Sequence, residues 1–243
     1  MRAKMKLNCD MGESFGNYTI GADSEVMPHI DMANIACGMH ASDPDVMDKT
    51  IALAVKHGVT IGAHPGYPDL QGFGRRDMSL SPREIKNLVI YQVGALSAFC
   101  SLHNTRLSYI KPHGALYHAM MNKTEVLDAL LQAASQFSLK LMLLATAGWQ
   151  KHQEHAAQYG VKLLLEGFVD RGYEDDGSLV CRSKPGALLE EQEMIERVRL
   201  LCSNQPMRSI SGKELRFPID TLCVHGDGKG VRQIKAFREI ING

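Results

Sequence analysis

Apolar residues in this chain fall into short runs, separated by longer stretches in which they recur at helical spacing. The short runs are Lys4 to Cys9, Asp31 to Ala36, Val59 to Ala63, Leu107 to Ile110, Leu139 to Ala145, Val161 to Leu165 and Thr221 to Val224. Each has the length of a strand. The longer stretches carry helix signals. Asp43-Pro44-Asp45 opens one that stops at Gly58, and Ser81-Pro82-Arg83-Glu84 is a capping signature for one that reaches about His103. In the second, Ile85, Leu88, Val89, Val93, Leu96 and Phe99 share one face. Glu125 to Phe137 and Trp149 to Tyr159 read as further helices. Pro185-Gly186-Ala187 is expected to open another that runs to about Cys202, and a last helix follows Val224. Phe168 to Lys184 reads as a long polar loop, with a weaker region before the last strand.

The result is a βα unit repeated about seven times, without a linker or a low-complexity segment. That order predicts one α/β domain over residues 1–243, a parallel (β/α) barrel, with a doubly wound open sheet as the alternative. Polar, ionisable residues stand just past the carboxyl ends of the strands: Asp10, His40, His64, Lys111 with His113, Glu166, and His225 with Asp227. In a barrel those ends share one mouth, so six strand ends of this kind predict a common site.

Composition narrows the classes. Lys plus Arg and Asp plus Glu both number 27, so no overall field favours nucleic acid or a membrane surface. The six cysteines, Cys9, Cys37, Cys100, Cys181, Cys202 and Cys223, form no C-x-x-C pair. They fit reduced thiols, and no long apolar run or leader is evident, so a cytoplasmic location is expected. Neither a G-x-x-x-x-G-K-[ST] loop nor a G-x-G-x-x-G opening a helix occurs, which argues against an ATP cradle or a dinucleotide fold within this chain.

The candidate chemistry follows from the strand ends. Asp10 and Glu13 suit general acid–base work or hard-cation binding, and His40, His64, His113 and His225 suit proton transfer. A divalent metal, if present, would take Asp10, His40 and His64. Lys111 can polarise a carbonyl or hold a carboxylate. Arg75 and Arg76 suit bidentate recognition of an anion, although one of them can instead pair with Asp69 or Asp77. Cys37 and Cys223 read as small buried residues rather than nucleophiles.

Several stretches carry a wider resemblance. They include Leu7-Asn8-Cys9-Asp10-Met11-Gly12-Glu13, Ala33 through His40, Ile61 through Arg76 and Lys111 through Tyr117. Asp170-Arg171-Gly172-Tyr173, Pro185-Gly186-Ala187 and Cys223-Val224-His225-Gly226-Asp227 continue them. In these motifs the chain resembles the LamB/YcsF family over nearly its whole length, with small departures at Met39, Val169 and Gly228-Lys229. The resemblance implies a seven-stranded barrel of the glycoside hydrolase/deacetylase type. It also implies ATP-dependent opening of the 5-oxoproline lactam to L-glutamate, in a complex with two partner subunits, B and C of a 5-oxoprolinase. ATP would be a co-substrate handled with those partners. On this reading Asp10, His64, His40, His113 and Lys111 are the catalytic candidates. Asn8, Glu13, Asn34, Arg75, Arg76, His225 and Asp227 are the substrate-binding ones. The alternatives are a metal-dependent amide or acetyl hydrolase of a small or sugar substrate, and a lactam-binding component without chemistry of its own.

Overall fold

Side chains alternate along a strand, so every strand of a closed barrel divides its residues between an inner and an outer face. The computed structural model, which describes residues 4–224 and 229–243, shows that division clearly. In chain order the strands are β1 (Lys6–Met11), β2 (Met32–Ala36), β3 (Thr60–His64), β4 (Tyr109–Ile110), β5 (Lys140–Leu144), β6 (Leu163–Phe168), β7 (Met207–Arg208), β8 (Glu214–Leu215) and β9 (Thr221–Val224). The helices are α1 (Asp23–Val26), α2 (Pro44–His57), α3 (Pro82–Leu102), α4 (Gly114–Asn122), α5 (Thr124–Gln136), α6 (Trp149–Ala157), α7 (Glu191–Cys202) and α8 (Ile234–Asn242).

Strands β1 to β6 and β9 are parallel and close a barrel, with β9 joining β6 to β1; β7 and β8 form a separate antiparallel hairpin. The expected strand positions and the seven-stranded barrel are therefore observed. Outward-facing Leu7, Ile35, Ile61, Ile110, Leu143, Leu165 and Leu222 pack into the main core under the helices. A second, small apolar cluster of Met32, Tyr109 and Met142, with Leu164 against it, fills the lower barrel interior. Above it the interior turns polar, which is where the site begins.

The helix signals mostly act as read. Asp43 caps α2 by accepting from Val46 N at 3.0 Å, and Gly58 ends it at φ 66°. Ser81 and Glu84 form the reciprocal capping box of α3. By length and composition α3 could cross a membrane, but here Ile85, Val89, Val93 and Leu96 bury its apolar face in the core.

Three expectations are corrected or extended. The helix expected from Pro185 starts only at Glu191, because Ala187 to Leu189 are taken up in extended pairing with Asp170 to Gly172. A capping box between Glu190 and Glu193 then starts α7. Helix α4, directly after β4, and the β7–β8 hairpin in the weaker region are elements beyond those the sequence pattern predicts. His225 and Asp227, two of the expected strand-end residues, lie outside the described residues.

Gly62 shows how tightly the interior is filled. A Cβ there would collide with the ring of Tyr109 on the next strand, which is fully buried. Gly62→Ala is expected to destabilise the fold by about 1–3 kcal/mol through overpacking, read as a lower urea midpoint with unchanged slope. A midpoint equal to the parent's would show that the ring has room to move.

Candidate active site

The polar layer is a chain of buried hydrogen bonds that crosses four strands. Tyr109 Oη donates to Asn34 Oδ1 at 2.7 Å, and Asn34 Nδ2 donates to Asn8 Oδ1 at 2.9 Å and to Asp10 Oδ1 at 2.8 Å. Asn8 Nδ2 in turn donates to Thr221 Oγ1 at 3.0 Å. Each amide is thereby fixed in one orientation, and the network aims the Asp10 carboxylate upward from a rigid base. Asn8 and Asn34, expected to bind substrate, are completely buried and do not line the cavity described below; Asn34 bonds Asp10 directly, and Asn8 reaches it through Asn34.

Lys111 follows β4 and is also buried. Its Nζ lies 3.0 Å from Asp10 Oδ1 and 3.2 Å from Glu166 Oε2, and it donates to Cys223 Sγ at 3.1 Å. Burial alone would lower the amine. Asp10, Cys223 and Glu166 outweigh that and hold it well above its ordinary value, so it stays an ammonium. Burial also pushes the Cys223 thiol well up, despite the nearby Lys111, and it raises Cys37 to about 12. Neither thiol is a nucleophile at neutral pH, as expected.

A second group stands beside Asp10. Glu13, His40, His64 and His113 offer four ligand atoms within 4.8 Å of one another, an arrangement that can hold a metal ion. This set differs from the expected Asp10, His40 and His64. Asp10 is committed to Lys111 and Asn34, while Glu13 and His113 take its place in the cluster. His64 Nδ1 is 2.7 Å from the Lys111 carbonyl, and His113 Nε2 is 2.8 Å from the Phe73 carbonyl. His40 stacks on His113 with ring centroids 3.8 Å apart. Burial pushes His40 well below the ordinary imidazole range and His113 down to about 3, with neighbouring imidazoles adding to both shifts.

The loop after β3 forms the rim of this cluster. Phe73, at φ 54°, and Gly74, at φ 63°, turn it so that the Phe73 carbonyl meets His113. A side chain at Gly74 would press on His40 and His113. Arg76 closes the loop onto itself: its guanidinium pairs with Asp69, holding that carboxyl at about 2. The pairing with Asp69 is thus the observed role of Arg76, and it does not line the mouth. Arg75 does, with its guanidinium 4.9 Å above the Phe73 ring.

These groups surround a cavity of about 450 Å³ at the carboxyl ends of the strands, within the range of small-molecule sites. Asp10, Glu13, His64, Lys111 and His113 line its floor. Arg75, Arg171 and Arg182 also line it. His40 is buried behind His113 and does not reach it. Glu166, one of the strand-end residues expected in the common site, joins it through Lys111 without lining the cavity, and Arg171 is an addition to the expected residues. In the sequence Glu166 is visible as a strand-end acid, and Arg171 only as part of a motif.

Comparison with known proteins agrees with this architecture. The model of the LamB/YcsF family matches residues 5–242. The chain belongs to the LamB/YcsF family. A relative from Vibrio parahaemolyticus, named as a 5-oxoprolinase component, is 54% identical over 94% of this chain and 91% of its own length. Another of that name from Pyrococcus furiosus is 47% identical over 96% of this chain and 92% of its own. The crystal structure of a lactam utilization protein from Thermus thermophilus superposes with a TM-score of 0.91 at 38% identity. That superposition covers 98% of this chain and 96% of the other. The family's barrel is thus kept throughout.

The Lys111 charge is expected to be structural as well as chemical. Lys111→Met would leave Asp10 and Glu166 buried without their cation, costing about 3–5 kcal/mol in chemical denaturation. Adding Asp10→Asn to it should recover part of that loss. Additive losses in the double variant would show that the two groups do not act as a pair.

Proposed function

We propose that this chain opens the lactam ring of 5-oxo-L-proline by hydrolysis to give L-glutamate, coupled to ATP and in complex with two partner subunits, B and C. The carrying observation is the charge distribution of the cavity: a fixed carboxylate beside a buried ammonium on the floor, and guanidinium groups along its wall. 5-Oxoproline offers the complementary features, a carbonyl to be attacked and a carboxylate to be gripped. The relatives' names supply the lactam, and the site supplies groups suited to it.

The geometry supports the following roles. Arg75, on the wall of the cavity that Arg171 also lines, pairs with the substrate carboxylate. Asp10, held rigid by Lys111 and Asn34, takes a proton from water as its oxygen attacks the carbonyl carbon. Lys111 faces the carbonyl oxygen and offsets the negative charge of the phosphoryl group placed on it. As the C–N bond breaks, Asp10 returns the proton to the ring nitrogen, which becomes the amine of glutamate. A lactam carbonyl is a poor electrophile; transfer of the terminal phosphoryl group of ATP to its oxygen, releasing ADP, makes the carbon a better one. Water addition and C–N cleavage then give the γ-glutamyl phosphate, which a second water splits to glutamate and inorganic phosphate. With no phosphate-binding loop in this chain, ATP is handled with the partners. Free thiols at all six cysteines fit a cytoplasmic setting.

With both partners and ATP present, Asp10→Asn should lower glutamate release by about a hundredfold or more while the protein stays folded. Arg75→Gln should raise KM by about ten- to a hundredfold, the cost of a charged hydrogen bond. Arg76→Gln, which loosens the loop without removing a substrate contact, should lower turnover less than Asp10→Asn does. Release of glutamate without ATP, or parent-like turnover in Asp10→Asn, would contradict the scheme.

A further inference from the structure

Two imidazoles in the mouth meet nitrogen to nitrogen. His64 Nδ1 and His113 Nε2 each contact a backbone carbonyl oxygen, at 2.7 and 2.8 Å. A carbonyl only accepts, so each of these nitrogens carries its ring's proton. In the neutral rings the remaining nitrogens, His64 Nε2 and His113 Nδ1, are then both bare, and they face one another across 3.0 Å. Two lone pairs at that distance repel. Carboxylates add to the negative field: Glu13 Oε1 is 3.5 Å from His113 Nδ1, and Asp10 Oδ2 is 3.5 Å from His64 Nε2. The arrangement calls for a cation between the rings. A shared proton is one answer and a metal ion is the other.

We propose that a divalent transition-metal ion of the zinc class binds here, with Glu13 Oε1, His40 Nε2, His64 Nε2 and His113 Nδ1 as its protein ligands. The separations support it. His64 to His113 is 3.0 Å, His40 to Glu13 is 3.4 Å and Glu13 to His113 is 3.5 Å. A tetrahedral site with bonds of about 2.1 Å has ligand atoms about 3.4 Å apart, close to these three pairs, and all four atoms lie within 4.8 Å of one another. Three imidazoles and one carboxylate select zinc or cobalt over magnesium or calcium, which prefer oxygen ligands. The carbonyls of Lys111 and Phe73 orient two of the rings in the way outer partners of metal-bound histidines do. The ion, when bound, supplies a Lewis acid for a carbonyl; that use rests on the ring-opening reading, whereas binding of the ion does not.

The test uses the full-length protein, stripped with a chelator and dialysed against Zn²⁺ or Co²⁺. Elemental analysis should find about one ion per chain, and Co²⁺ should give the intense visible absorption of a four-coordinate site. Glu13→Gln and His113→Ala should weaken binding by about tenfold or more, while Asp10→Asn keeps it. If His113→Ala fails to fold, Glu13→Gln, which keeps the side chain's size, carries the comparison, with circular dichroism as the check on folding. Folded parent protein that retains no ion would overturn the proposal in favour of a shared proton. Equal binding in Glu13→Gln, or loss of it in Asp10→Asn alone, would overturn the ligand set. Failure of glutamate release in a protein that binds the ion would count against the ring-opening reading only.

Discussion

The buried ammonium of Lys111 is the interaction on which the site depends. A charge in a barrel interior is costly unless opposite charges and hydrogen bonds surround it, and here Asp10, Glu166, Asn8 and Cys223 do so from three other strands. That requirement ties β1, β4, β6 and β9 together at one level. It also fixes the position of the Asp10 carboxylate. The Asn8–Asn34–Tyr109 network below it satisfies both amides and the phenol, so the Asp10 side of the cavity floor is braced before any ligand arrives.

Around that floor the mouth is divided in two. One half is the ion-paired group of Lys111, Asp10 and Glu166. The other is the histidine cluster with Glu13, in which burial keeps His40 and His113 neutral. Asp10 and His64 form the seam, 3.5 Å apart. Paired charge thus stands beside neutral imidazole within one small cavity. The loop after β3 then adds the Phe73 carbonyl and the Arg75 guanidinium, with the Asp69–Arg76 pair holding its shape.

Much of this is legible in the sequence for a physical reason. A barrel strand is short, apolar and followed by polar residues at its carboxyl end, so Asp10, His64, Lys111 and His113 can be placed on one rim without a structure. Roles within the rim are less legible, because they depend on partners far apart in the chain. Nothing local to Asn34 says that it supports Asp10, and nothing local to His40 says that it is shielded behind His113. The Asp69–Arg76 pair is the opposite case, seven residues apart, and it can be anticipated as an option. Helix α4 is masked because Pro112 and Gly114 read as loop, although Leu116 and Met120 have helical spacing.

The central claim is that the lactam binds in this mouth with its carbonyl over the Lys111–Asp10 pair. A crystal structure of the chain with 5-oxo-L-proline tests it most directly. The account predicts the carbonyl oxygen facing Lys111 Nζ and Asp10, with the substrate carboxylate on Arg75. The lactam bound elsewhere on the molecule, or in this cavity with its carboxylate on Lys111 and its carbonyl turned to the rim, would contradict it.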